Sequence, residues 1–123
     1  MPILKFTVHK TTEEEFYFRL RNIADEVMIT SRNYSGFSNC INDICCLQAY
    51  KDFSIEQDLQ FAAGQYRFAL RSANGRIIAK SPYYLVRTRM IQDMKVICEN
   101  MREAAVEDRS TLVKFFRRVN TKI

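Results

Sequence analysis

The sequence predicts an α+β protein made of two pseudo-symmetric β-β-β-α-β repeats, forming one antiparallel sheet backed by two helices. Three observations predict it. At an offset of fifty positions Phe18-Arg19-Leu20-Arg21 meets Phe68-Ala69-Leu70-Arg71, and Ser31, Tyr34, Ile41 and Asp43 meet Ser81, Tyr84, Ile91 and Asp93. Each copy carries apolar residues at a period of two, and each then changes to a helical period. The expected organisation is a single domain over 1–123, with repeat one about 3–56, repeat two about 59–108 and a basic, apolar tail at 109–123.

In chain order, Leu4, Phe6 and Val8 alternate with Lys5, Thr7 and His9, as a strand requires. The acidic run Glu13-Glu14-Glu15 turns the chain into a second two-faced strand, with Phe16, Phe18 and Leu20 against Tyr17, Arg19 and Arg21. Asn22 to Glu26 turns again, and Val27 to Ser31 returns. Ser35 or Ser38 caps a helix whose stripe is Phe37, Cys40, Ile41, Ile44 and Gln48, with Cys45 and Leu47 at its margin. A short strand is expected around Phe53 to Ile55. Residues 59–63 match the first strand only loosely, and Tyr66, Phe68 and Leu70 repeat the second. Ala73-Asn74-Gly75-Arg76 is an Asn-Gly hairpin signal, whereas Ala24-Asp25 predicts a turn of another type or length in the first copy. Met90, Ile91, Met94, Ile97, Cys98 and Met101 form the second helical stripe, and Ala104 to Glu107 the last strand.

Composition bounds the function classes. Apolar residues make up 47% and charged residues 27%, which is normal for a globular chain. No apolar run reaches membrane-spanning length, and the N-terminus lacks a signal-peptide layout, so the expected compartment is the cytosol. The formal charge is +5, but residues 110–123 hold Lys114, Arg117, Arg118 and Lys122 with no acid. The rest of the chain is nearly neutral, which weakens a nucleic-acid argument from charge alone. Cys40, Cys45, Cys46 and Cys98 lack zinc-knuckle spacing and are expected to be reduced thiols acting as small apolar side chains. The three glycines build no phosphate loop, and no acid or base accompanies both Asp43 and Asp93. No enzyme activity, cofactor or metal is expected. The aspartates are expected on the helix surface or at its cap, and Tyr34 and Tyr84 at strand–helix corners.

The hairpin Asn74-Gly75-Arg76-Ile77-Ile78-Ala79-Lys80-Ser81 followed by Tyr84 resembles the YegP-like tandem-repeat family of small bacterial proteins of unknown function. So do the helix-opening segment from Tyr34 to Ile44 and the strands Phe16 to Arg21 and Tyr66 to Arg71. The resemblance implies one antiparallel sheet with the last strands exchanged between units and both helices on one face. It supplies no catalytic residue.

Two surfaces remain as candidates. Strand alternation sends Tyr17, Arg19, Arg21, Arg67 and Arg71 to the face away from the helices. Arginines contacting phosphate beside a stacking tyrosine would suit single-stranded nucleic acid. Alternatively, the arginine stems simply cover an open sheet. In the tail, Leu112, Phe115, Phe116 and Val119 would share one side of a helix, with Lys114, Arg117 and Arg118 on the other. That side either docks on the body or across a homodimer, or it meets an acidic partner or anionic membrane. The expectation is a small cytosolic interaction or structural module, monomeric or homodimeric, with weak nucleic-acid binding as the alternative.

Overall fold

Alternating burial organises the strands. In the computed structural model, which describes residues 3–49, 53–58 and 64–110, β1 (Leu4–Lys10) buries Leu4, Phe6 and Val8. β2 (Phe16–Asn22) buries Phe18 and Leu20, and β3 (Val27–Ser31) buries Met28, Ile29 and Ser31. α1 (Phe37–Ala49) follows, then β4 (Phe53–Gln57), β5 (Phe68–Ser72) and β6 (Ile77–Lys80). α2 (Arg87–Asn100) runs through a 3₁₀ turn, Met101–Glu103, into β7 (Ala105–Asp108). Cys40, Ile44 and Leu47 of α1 and Met90 and Ile97 of α2 join the inward strand residues in one apolar cluster. Both helices thus cover the same side of the sheet.

The seven strands lie in the order β4-β5-β6-β3-β2-β1-β7. This corrects the expectation of an antiparallel sheet, because β1 and β7 pair in parallel, Lys5 opposite Ala105 and Val8 opposite Asp108. The cause is one intervening strand. β4, which follows α1, lies directly on β5 and antiparallel to it. β7, which follows α2, is separated from β2 by β1, itself antiparallel to β2, so the same strand direction reads parallel beside β1. The loosely matched stretch 59–63 lies outside the described residues.

The hairpin expectation also needs correction. Asn22 N–H donates to the Glu26 carbonyl and Asp25 N–H to that of Asn22, and Ser72 bonds Arg76 and Gly75 in the same way. The turns are alike because Asp25 adopts φ 64°, where Gly75 has φ 85°. Aspartate tolerates this left-handed conformation better than most residues. Asn22 supports it by accepting the Ala24 and Glu26 amides on Oδ1, both at 3.0 Å.

Among the thiols only Cys40 is buried, which pushes its pKa up to about 12. Cys45, Cys46 and Cys98 lie on exposed helix surface instead of serving as core residues. Cys45, Cys46 and Cys98 each stand about 100° around the helix axis from an inward neighbour, Ile44, Leu47 and Ile97 respectively, and fall on its outer side.

Candidate functional site

Register assembles the helix-free face. β1 and β2 set Lys5 opposite Arg21, Thr7 opposite Arg19 and His9 opposite Tyr17. His9 and Tyr17 stack with ring centroids 5.1 Å apart, and the Arg19 guanidinium lies 5.4 Å from the Tyr17 centroid. Arg19 Nε also donates to Thr30 Oγ1 at 3.3 Å. Thr7 is fully buried although it belongs to this face, because Arg21 Nε donates to its hydroxyl at 3.0 Å and His9 Nε2 shares a 2.8 Å hydrogen bond with it. Arginine stems therefore cover the sheet here.

Most of the expected basic strip is neutralised. Arg21 lies 3.8 Å from the Asp25 carboxylate, Arg71 Nε 3.4 Å from Glu56 and Arg67 Nη2 2.8 Å from Asp58. Arg67 also lies over the Tyr83 ring at 4.7 Å. Buried Ala69 stands where β2 has Arg19, so β5 breaks the strip. Among the described residues Arg19 has no carboxylate partner. The structure thus gathers Tyr17 and Arg19, and engages the other three arginines with acids. Lys114, Phe115, Phe116, Arg117 and Arg118 lie outside the described residues.

Sequence reasoning missed His9 and the cluster beside it. Lys5 Nζ is 3.6 Å from Asp25 and 3.7 Å from Glu107, and Arg109 is 3.1 Å from Asp25 and bonded to Glu107 as well. Burial, then the charges of Arg19, Arg21 and Arg109, lower the His9 pKa from 6.5 to about 4, against the opposing charge of Glu107. The unfolded chain therefore takes up this proton at a higher pH than the folded one. Folding stability contributed by neutral His9 is complete above pH 6.5 and is lost as the pH falls toward 4. Solvent reaches the ring, so screening holds the expected loss to about 1 kcal/mol. Urea midpoints at pH 7 and pH 5 should differ less in His9→Asn than in the parent. Equal differences in both would refute the assignment.

At the strand–helix corners, Tyr34 OH donates to Asp43 Oδ2 and Tyr84 OH to Asp93 Oδ2, both at 2.6 Å. Arg32 adds a 3.3 Å contact to Asp43 and lies over the Tyr34 ring at 4.6 Å. Burial and the adjoining carboxylate raise both phenol pKa values, so at neutral pH each tyrosine is a fixed donor. The aspartates are thus anchors for the corners.

Beside the second corner opens a cleft of about 580 Å³ between the β2–β3 hairpin and the start of α2. Asn22, Glu26 and Met28 line one wall; Tyr83, Leu85 and Val86 line the other, with Arg89 and Asp93 at the helix. Tyr83, Leu85 and Val86 are 54%, 80% and 57% exposed. Its origin is the short seam of the sheet, since β3 and β6 pair only through Thr30 with Lys80 and Ser31 with Ala79. Past one end of the seam Arg32 N–H donates to the Ile78 carbonyl at 2.9 Å. Past the other stands Pro82, which has no N–H to give Met28. Offset alignment shows this difference in sequence: Pro82, Leu85 and Val86 stand where the first half has Arg32, Ser35 and Gly36.

Residues 62–108 match the family described as Domain of unknown function (DUF1508). The fold matches the solution structure of YegP, a protein of unknown function from E. coli, with a TM-score of 0.76 and 20% identity over 89% of this chain and 96% of that one. The fold is YegP-like. A UPF0339 protein from Shewanella oneidensis gives a TM-score of 0.75 and 24% identity over 88% of this chain and 92% of its own. No curated protein matches the sequence. At these identities the likeness to YegP and to the Shewanella protein establishes the fold alone. Among the described residues no helix is long and apolar enough to cross a membrane.

Proposed function

We propose that this YegP-like protein is a cytosolic, non-enzymatic interaction module that takes an extended, apolar and basic peptide segment in the cleft between Met28 and Val86. The observation that carries this reading is the exposed run Tyr83, Leu85 and Val86 lining the cleft. Contiguous exposed apolar surface of this kind marks interaction sites. Two further features support an extended basic occupant. Pro82 cannot give the Met28 carbonyl the bond that Arg32 gives Ile78, so an added strand can supply one. Glu26 and Asp93 set two carboxylates against the single guanidinium of Arg89. Exposed free thiols at Cys45 and Cys46 fit a reducing compartment.

The reading includes tandem duplication. Phe16 and Tyr34 exchange backbone hydrogen bonds of 2.8 and 2.6 Å, as do Tyr66 and Tyr84 fifty positions on. The Tyr34–Asp43 and Tyr84–Asp93 bonds support the same inference. One ancestral unit, used twice, then diverged at the second corner to open the cleft.

The test is an NMR titration with thirteen-residue peptides graded in apolar and basic content. Shift changes are expected at Val27, Met28 and 83–89, and Leu85→Glu should reduce affinity at least tenfold. A panel that shifts none of these amides would overturn the reading. Single-stranded nucleic acid on the Tyr17–Arg19 platform is the second reading, favoured by Arg19, whose charge meets no carboxylate among the described residues. The ion pairs of Arg21, Arg67 and Arg71 place it second. Oligonucleotide titrations at low salt are expected to be flat, and salt-sensitive binding lost in Arg19→Ala would reverse the order.

A further inference from the structure

We infer that the cleft's occupant is residues 111–123 of this same chain, with Phe115 and Phe116 seated against Tyr83, Leu85 and Val86. The inference rests on the cleft assigned above and names what fills it. The chemistry matches on both counts. The segment contains Leu112, Val113, Phe115, Phe116 and Val119, an apolar content that needs cover. It also contains Lys114, Arg117, Arg118 and Lys122 without an acid, opposite the carboxylates of Glu26 and Asp93.

The point of departure favours the same place. Arg109 N–H is bonded to the Val8 carbonyl at 2.8 Å, and the Arg109 guanidinium is 3.1 Å from Asp25. Asp25 belongs to the turn whose ends, Asn22 and Glu26, line the cleft. Thirteen residues span at most roughly 43–47 Å when extended. A domain of this size has a radius of gyration of about 14 Å, so the segment reaches the cleft with residues to spare. Tethering also decides between occupants. Attachment within one chain gives an effective concentration on the order of millimolar, which a second copy or a foreign segment has to exceed.

The experiment uses the full chain, its Phe115→Ser/Phe116→Ser variant and a fluorescent synthetic peptide of sequence 111–123. The intact chain should bind the peptide at least tenfold more weakly than the variant, because its own segment already fills the cleft. Hydrogen exchange at 83–92 should be at least fivefold faster in the variant. In the full chain, Leu85→Ser/Val86→Ser changes two exposed side chains and so preserves the fold, and it should raise exchange over the same stretch. Equal peptide binding to intact chain and variant, with shifts at Leu85 and Val86, would overturn self-docking and leave the cleft reading standing. Binding to neither, with unchanged exchange, would overturn both. A concentration-dependent dimer that dissolves in the serine variant would assign the segment to a partner copy and overturn docking within one chain.

Discussion

Replacing Phe18 or Phe68 by alanine is expected to remove about 3–5 kcal/mol of folding stability in each case. Both rings are fully buried on the inward face of the sheet. Each lies against the corner tyrosine of its own half, Phe18 with its centroid 6.2 Å from Tyr34 and Phe68 6.2 Å from Tyr84. Truncation removes the apolar transfer energy and leaves a cavity whose walls, held by sheet hydrogen bonds and by Tyr–Asp anchors, cannot close in. Phe18 also meets Phe6 edge-on at 5.5 Å, and such aromatic pairs add about 0.5–1.5 kcal/mol beyond area burial. Its loss should therefore be the larger. A domain of this kind holds about 5–15 kcal/mol in total, so either change consumes a large share of the stability. Urea denaturation followed by far-ultraviolet circular dichroism measures both. A loss below about 1 kcal/mol at either position would show that the ring does not belong to the core.

These two residues also show what the sequence could reveal and why. Strand faces are set by a local rule, alternation, so Phe6, Phe18, Leu20, Phe68 and Leu70 could be assigned inward from their spacing alone. The parallel contact of β1 with β7 is not local. It joins Lys5 to Ala105, and no periodicity within either strand specifies which neighbour it finds or in which sense. The turn at Asp25 failed for another reason: Asp-for-Gly looked like a change of turn type, yet the Asn22 side chain holds the left-handed conformation in place. The candidate strip was legible as a face and illegible as a charge distribution. Spacing put Arg21, Arg67 and Arg71 outward, whereas their neutralisation by Asp25, Asp58 and Glu56 depends on which strands became neighbours or how a turn folded back. The cleft residues were within reach, because Pro82, Leu85 and Val86 break the internal match at consecutive points of one corner.

The serines at the two corners lead to the second large effect. Ser31→Ala and Ser81→Ala are each expected to cost about 1–3 kcal/mol, more than a typical surface serine. Ser31 Oγ accepts the Phe18 amide at 2.8 Å and donates to the Arg32 carbonyl at 2.7 Å. Ser81 Oγ accepts the Phe68 amide at 2.9 Å and donates to the Pro82 carbonyl at 2.8 Å. Each hydroxyl stands in for a backbone carbonyl at the point where the return strand leaves the ladder and the chain turns toward its corner tyrosine. Alanine fills nearly the same space but leaves a buried amide without its acceptor, at the desolvation cost of an unpaired polar group. Stability should fall to a similar extent at both positions, and the effects should add in the double variant because the two sites share no partner. Native-state hydrogen exchange gives the local readout: the Phe18 amide should exchange faster in Ser31→Ala and the Phe68 amide faster in Ser81→Ala. Unchanged exchange at both amides, with losses under about 0.5 kcal/mol, would mean that the hydroxyls are not the acceptors on which these strand ends depend.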